Sequence, residues 1–112
     1  GDVGKQLENT CSVSLLKHVH FLQDSQGKII NLHYIRTNEG KEIDFVLTEE
    51  EALRMLIEVK TSDESPSKML QLVHERFPAT EAVQLVQHLR QSKRDGAIQI
   101  VNAAKWLSEL SA

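Results

Sequence analysis

The sequence predicts a layered domain of helices and strands, α/β or α+β. Three observations carry this reading: apolar residues spaced by three and four near the start, two alternating runs joined by an acidic turn, and helical spacing again after later polar breaks. At 112 residues the chain suits one domain, 1–112, with a continuous core that needs no metal or disulfide staples.

Leu7, Cys11, Leu15, Val19 and Leu22 recur at helical spacing, which predicts an amphipathic helix over Gln6 to Leu22. Glu8 lies beside that stripe, and "DSQGK", Asp24 to Lys28, breaks the helix. Ile30 to Arg36 alternates as a strand, and "TNEG", Thr37 to Gly40, reads as a tight connection. In Lys41 to Leu47 the expectation is that Ile43, Phe45 and Leu47 share one face, with Glu42, Asp44 and Val46 on the other. "TEEE", Thr48 to Glu51, reads as a solvated hairpin loop. A third strand, Leu53 to Lys60, then points Met55, Ile57 and Val59 one way and Leu56, Glu58 and Lys60 the other.

After the polar "SDESPSK", Pro66 suits the first turn of a helix whose apolar face holds Met69, Leu70, Leu72 and Val73. Phe77-Pro78 ends it. Ala82 to Leu89 fits a helix through Ala82, Leu85, Val86 and Leu89, and "VQLV" fits a strand equally well. Ala97 to Val101 reads as a short strand, and Asn102 as the cap of a last helix carrying Trp106, Leu107 and Leu110. The order is helix, a three-stranded meander, helix, an open element, strand, helix.

The charge balance, 13 basic against 16 acidic residues for a net of -3, lacks the broad positive footprint of a sequence-independent nucleic-acid binder. It leaves room for a small nuclease, in which bound divalent ions and a local basic patch carry the phosphate contacts. "RQSKR", Arg90 to Arg94, is the concentrated basic run. It reads as a solvated surface turn, with a phosphate-contacting patch as the alternative. The single Cys11 argues against a disulfide scaffold and is compatible with a reducing compartment, so a cytoplasmic location is expected. No apolar run approaches the roughly 20 residues of a membrane span, so no membrane partner is expected. The abrupt start at Gly1 suits an excised piece of a longer protein.

Charged residues within the second and third strands raise the functional question. If those strands pair about residue 51, Asp44 faces Glu58, Val46 faces Leu56, and Glu42 faces Lys60, with paired Cβ atoms about 4.5–5.5 Å apart. That register gathers Glu42, Asp44, Glu58 and Lys60 into one patch, and a one-residue slip would scatter it. Neighbouring carboxylates in a partly dry setting repel, and a cation resolves the conflict. One resolution is Lys60 pairing with Glu58 or Asp44. The other is a hard ion such as Mg²⁺, which prefers carboxylate and water oxygens, with Lys60 near an attacking water or a developing phosphate charge.

The ordered words "GKEIDFVL" and "LIEVK" resemble the core of the PD-(D/E)XK nuclease superfamily, in which a metal-binding aspartate precedes Glu-X-Lys on the next strand. Asp44, Glu58 and Lys60 match those places. "LEN", Leu7 to Asn9, resembles the start of the superfamily's first helix, so that Glu8 takes the place of an auxiliary acid near the metal. "YIRTNEGKEIDFVL", "LIEVKTSD", "AVQLV" and "AAKWLSEL" are similar to the C-terminal nuclease-like domain of unknown function found after AAA-type ATPase modules in bacterial and archaeal proteins. The resemblance spans nearly the whole chain. It implies an α/β, restriction-endonuclease-like fold, a central mixed sheet flanked by helices, with the start of Ala82 to Leu89 as a strand. The pattern departs in two places: Ile43 stands where a proline can precede the aspartate, and Gln71 is followed by Glu75 where a RecB-type nuclease carries tyrosine.

The resemblance implies a Mg²⁺- or Mn²⁺-dependent nuclease acting on DNA. Asp44 and Glu58 would be metal ligands, Glu8 would support metal or water, and Lys60 would assist the nucleophile or transition state. The alternative is a non-catalytic accessory module of an AAA-type ATPase in the same full-length chain. A homodimer building a joint cleft is a further possibility. Other residues draw plainer readings. His18 and His20 do not share a helix face, and His33, His74 and His88 give no compact zinc spacing, although the strand of His33 can neighbour Asp44. Arg36 suits an ion pair or a phosphate contact, Tyr34 and Trp106 suit packing, and Cys11 a small core position. No Gly-rich loop followed by Lys-Ser or Lys-Thr is present, so ATP hydrolysis by this segment is not expected.

Overall fold

A computed structural model describes residues 2–36 and 42–110, apart from the side chains of residues 2, 3, 34–36 and 42. Its elements are α1 (Asp2–Gln26), β1 (Ile30–Arg36), β2 (Glu42–Glu49), β3 (Ala52–Lys60), α2 (Lys68–Arg76), β4 (Glu81–Val86), β5 (Lys93–Asp95), β6 (Ile98–Asn102) and α3 (Ala103–Leu110). The six strands form one mixed sheet in the order β1-β2-β3-β4-β6-β5. The first three pair antiparallel as a meander, β3-β4 and β4-β6 pair parallel, and β5 closes the far edge antiparallel to β6. The expected α/β architecture is observed.

Two apolar layers hold the sheet. On one face Cys11, Leu15 and Val19 of α1 and Ala103 and Leu107 of α3 bury against Phe45, Leu47, Ile57, Val83 and Leu85. On the other, Leu70 of α2 buries against Val46, Leu56, Ala82, Val86, Ile98 and Ile100. The alternation expected of β3 is kept: Met55, Ile57 and Val59 join the first layer and Leu56 the second. β4 is buried on both faces, as a strand flanked by parallel neighbours should be. That burial explains why its apolar run fitted a helix as well as a strand, and the structure makes it a strand.

Helix α1 outruns the expected Gln6 to Leu22 at both ends. Its stop is Gly27, at φ +66°, whose N–H donates to the Gln23 carbonyl at 3.1 Å. This is the left-handed termination that glycine adopts without a steric penalty. The β2-β3 loop is shorter than expected, because Thr48 and Glu49 pair with β3 and only Glu50 and Glu51 turn. Both have positive φ, 51° and 71°, the backbone of a type I′ turn.

Four further expectations are corrected. Between His33 and Ile35 two steps of β1 span three of β2, since His33 faces Val46 and Ile35 faces Ile43. The extra residue in β2 is a bulge. It carries Ile43 into the layer of Val46 and Leu56, away from Phe45 and Leu47. Leu72 of α2 is 54% exposed, so Met69, Leu70 and Val73 alone form the helix's apolar face. Pro66 lies before the helix: Ser67 is its N-cap, with Oγ accepting from Leu70 N–H at 3.3 Å. Lastly, Lys93 and Arg94, read as part of a turn, belong to β5. All three β5 residues are exposed, so this edge strand carries no apolar alternation to announce it, and its lysine protects the edge from further pairing. Trp106 packs against the first core layer as expected, and Asn102 caps α3 by accepting from Lys105 N–H at 3.0 Å. The connection 37–41 lies outside the described residues.

Candidate functional site

The register that would assemble the charged residues is present from Phe45 to Leu47; nearer the turn it is one residue off, with Thr48 facing Leu53 and Glu49 facing Ala52. Phe45 faces Ile57, Val46 faces Leu56 and Leu47 faces Met55. The described ladder stops at Phe45 and Ile57, so the expected pairs of Asp44 with Glu58 and of Glu42 with Lys60 do not form within it. The bulge that β2 makes against β1 falls at the same place, between Ile43 and Val46, and bulges locally disrupt a strand's pairing. The Asp44 side chain reaches β3 in place of the ladder. Its Oδ2 accepts the Val59 N–H at 2.7 Å, which fixes the carboxylate against the backbone between Glu58 and Lys60. The Glu42 side chain lies outside the described residues.

Glu8, Asp44, Glu58 and Lys60 nonetheless line one cavity of about 600 Å³, together with a rim of Asp63, Ser65, Ser67 and Lys68. The four residues proposed from sequence are therefore brought to one place. Glu8 and Asp44 lie on the α1 side. Burial first, and then the charges of Asp44 and Glu8, push the Cys11 thiol up to about 11. Cys11 is thus the core residue expected, with a thiol far from reactive ionisation at neutral pH.

Glu58 is 7% exposed, and its Oε2 has no hydrogen-bond partner among the described residues. Burying a carboxylate oxygen without a partner is costly. Among the described residues Lys60 makes no ion pair with Glu58 or Asp44; the ion pairs there join Glu49 to Lys28 and Arg54, and Glu64 to Lys93. One side of the cavity therefore contains an uncompensated acceptor, with an ammonium nearby that does not quench it.

That rim is held by a residue that sequence reading passed over. Gln84 is fully buried in β4, directly beside Glu58 in the parallel register. Its Oε1 accepts Ser67 N–H at 2.8 Å, and its Nε2 donates to the carbonyls of Ser65 at 2.8 Å and Asp63 at 3.3 Å. One amide thus spans three backbone groups of the rim. The signal was available as a lone glutamine among five consecutive buried positions in "AVQLV". Within the rim, Ser65 N–H donates to Asp63 Oδ1 at 2.9 Å. That bond, with smaller help from the Ser65 side chain and Lys60, holds the exposed Asp63 carboxyl below its ordinary value.

The histidines do not join the cavity's lining. His33 lies on the strand beside Asp44's, but its Nε2 is 3.4 Å from Thr48 Oγ1. Among the described residues no three histidine, cysteine or acidic groups are arranged to hold a metal ion. The side chains of Tyr34 and Arg36 lie outside the described residues, and no described helix is long and apolar enough to cross a membrane.

Fold and cavity together define an α/β domain whose charged site sits where the antiparallel and parallel halves of a mixed sheet meet. The chain belongs to the family described as Domain of unknown function (DUF4143), which it matches over residues 3–106. No curated protein and no solved structure matches it.

Proposed function

We propose that this is a divalent-metal-dependent nuclease domain hydrolysing DNA phosphodiester bonds, with a restriction-endonuclease-like sheet as its scaffold. The observation that carries the reading is the buried, unpartnered Glu58 Oε2 in a cavity that also holds Asp44 and Lys60. The donors suit Mg²⁺ or Mn²⁺: both acids offer hard oxygens, and Mg²⁺ is commonly held by one or two carboxylates with several retained waters, so a third protein ligand is not required. Asp44 and Glu58 would hold the ion, which when bound supplies Lewis-acid polarisation of a phosphoryl oxygen and a more acidic water.

The chain's own residues do the positioning. Val59 N–H fixes the Asp44 carboxylate, and the sheet fixes Glu58 beside it. Lys60 places an ammonium on the same cavity wall, where it offsets the negative charge that develops on a phosphoryl group under attack. Glu8 approaches from α1 on the rim and suits orientation of water. The order of Asp44 and Glu58-Val59-Lys60, which resembles the PD-(D/E)XK motif, supports the same assignment.

The protein incubated with plasmid, single-stranded and duplex DNA should cleave in Mg²⁺ or Mn²⁺ and stop on chelation. Asp44→Ala and Lys60→Ala should each lose at least a hundredfold in rate. An active preparation unchanged by Lys60→Ala would sink the mechanism. A second reading, an accessory module of an AAA-type ATPase, is favoured by Val13, Leu16 and Phe21, which α1 leaves 43% to 61% exposed. Calorimetry separates the two: heat on Mn²⁺ titration, lost in Asp44→Ala, supports the metal site, and its absence favours the module. Light scattering on the eluted protein tests the homodimer.

A further inference from the structure

A second concavity, of about 610 Å³, is lined by Glu64, His88, Arg90, Gln91, Ser92 and Lys93. We infer that it seats the phosphate backbone of the same DNA strand whose phosphodiester enters the acidic cavity, an inference that rests on the nuclease reading above. The two hollows share a wall. Asp63 and Ser65 face the acidic cavity, while Glu64 between them lines the second. They also share a sheet end: Gln87 N–H donates to the Lys60 carbonyl at 3.0 Å, and His88 N–H to the Thr61 carbonyl at 2.9 Å. The turn after β4 is thereby tied to the last residue of β3, so Lys60 and the segment that runs on to Arg90 lie at one end of the sheet. Such a crevice beyond the carboxyl ends of parallel strands is where α/β sheets commonly bind ligands.

Electrostatics require a seat of this kind. The acidic cavity sets four carboxylates, Glu8, Asp44, Glu58 and Asp63, against two lysines, Lys60 and Lys68. The chain as a whole carries -3. Neither the site nor the long-range field attracts a polyanion, so local cations have to supply the sequence-independent contact energy. The second hollow sets Arg90 and Lys93 against one carboxylate, Glu64. Its donors match phosphate oxygens: an Arg fork, an ammonium, a hydroxyl and an amide. It is also built on fixed backbone. Leu89, before Arg90, is buried and its carbonyl accepts from Asn102 Nδ2 at 3.1 Å, while Lys93 stands in β5, paired to β6.

Glu64 supplies the lever for a test. Its Oε1 is 3.2 Å from Lys93 Nζ, and both side chains are about half exposed, so the pair competes with phosphate for Lys93 and neither group is needed for folding. Binding of a fluorescein-labelled single-stranded DNA oligonucleotide is measured by anisotropy without divalent metal, over a range of salt. Arg90→Ser/Lys93→Ser should weaken binding roughly tenfold at low salt and flatten the log-log salt slope by about 1.4, the value for two lost phosphate contacts on a single strand. Glu64→Gln should tighten binding by about two- to fivefold by freeing Lys93. Unchanged affinity in both variants overturns the inference. So does an oligoglutamate of equal charge that binds as tightly and suffers the same losses, which would make the patch a dock for acidic protein. The two proposals fail separately. DNA binding that follows these variants in a protein that cleaves nothing in Mg²⁺ or Mn²⁺ keeps the seat and removes the nuclease. Metal-dependent cleavage of a small phosphodiester, with DNA affinity indifferent to both variants, keeps the nuclease and removes the seat.

Discussion

Replacing Gln84 tests whether the cavity's rim is held from below by a single side chain. Gln84→Leu keeps nearly the same volume and removes the amide that serves Ser67 N–H and the Asp63 and Ser65 carbonyls. Each neutral hydrogen bond contributes a net ~1 kcal/mol, so full loss costs roughly 3 kcal/mol. The rim is partly open to water: Asp63 and Ser65 are exposed, and their carbonyls can rehydrate, whereas the half-buried Ser67 N–H has less access. The expected cost is therefore about 2 kcal/mol, or a Tm fall of roughly 8–12 °C for a domain of this size. Gln84→Glu should be worse despite its matching shape. It replaces the donor to two carbonyls with an acceptor and sets a second buried carboxyl one strand away from Glu58. Urea unfolding followed by circular dichroism gives the energies, and amide exchange at Ser67 gives the location. A cost under about 0.5 kcal/mol for Gln84→Leu, with Ser67 still protected, would refute the clamp.

Three further outcomes are expected. Glu50→Asn/Glu51→Gly gives the turn residues that a two-residue loop with positive φ at both positions favours, and should stabilise the protein by about 1 kcal/mol in urea; destabilisation would contradict the turn assignment. Glu58→Gln replaces the orphaned carboxylate oxygen by a neutral amide and should raise stability by about 1 kcal/mol, read as a higher Tm in metal-free buffer. Cys11, fully buried with its thiol raised from 9.0 to about 11, should resist thiol reagents until the protein unfolds. Since the unfolded thiol ionises first, Cys11 contributes stability below pH 9 that is lost as pH rises towards 11. Cys11→Ala should accordingly show a shallower Tm decline across that interval, and an equal decline in both proteins would refute the assignment.

The sequence made legible those features whose side chains repeat with a period. The α1 stripe from Leu7 to Leu22 and the β3 alternation from Met55 to Lys60 are fixed by which face meets a core, so pattern reading finds them. The candidate site was legible for the same reason: Glu58 and Lys60 break an apolar alternation on one face, and Asp44 breaks its neighbour. What escaped was settled by the backbone. A bulge at Asp44 alters which side Ile43 takes without changing composition. β5 pairs through main-chain groups while all its side chains face water. The rim from Asp63 to Ser67 is shaped by Gln84 reaching across about twenty residues of sequence to carbonyls and an N–H, contacts that no local window contains.

The position of Glu58 bears on how the site is built. Had the sheet been selected for stability alone, an apolar residue at this buried place would be the favourable choice, since a buried ionic group rarely outperforms a well-packed hydrophobe. The next strand repeats the choice, because Gln84 sits beside Glu58 in the register between Ala82 and Val86, which do pack as core. The two polar residues differ in how they are satisfied: Gln84 spends its whole amide on the rim, and Glu58 leaves Oε2 without a partner among the described residues. A glutamine that orders the rim and a glutamate beside it on the next strand form one arrangement. Gln84 fixes the segment from Asp63 to Ser67 that leads into α2 at Lys68, so that stretch is held by side-chain hydrogen bonds to its backbone. Among the described residues Lys60 makes no ion pair with Glu58 or Asp44, which leaves its ammonium facing the cavity. The polar cost inside the sheet is thereby confined to one strand end, where bulge, clamp and ladder edge coincide, and the two apolar layers on either side carry the stability that this end gives up.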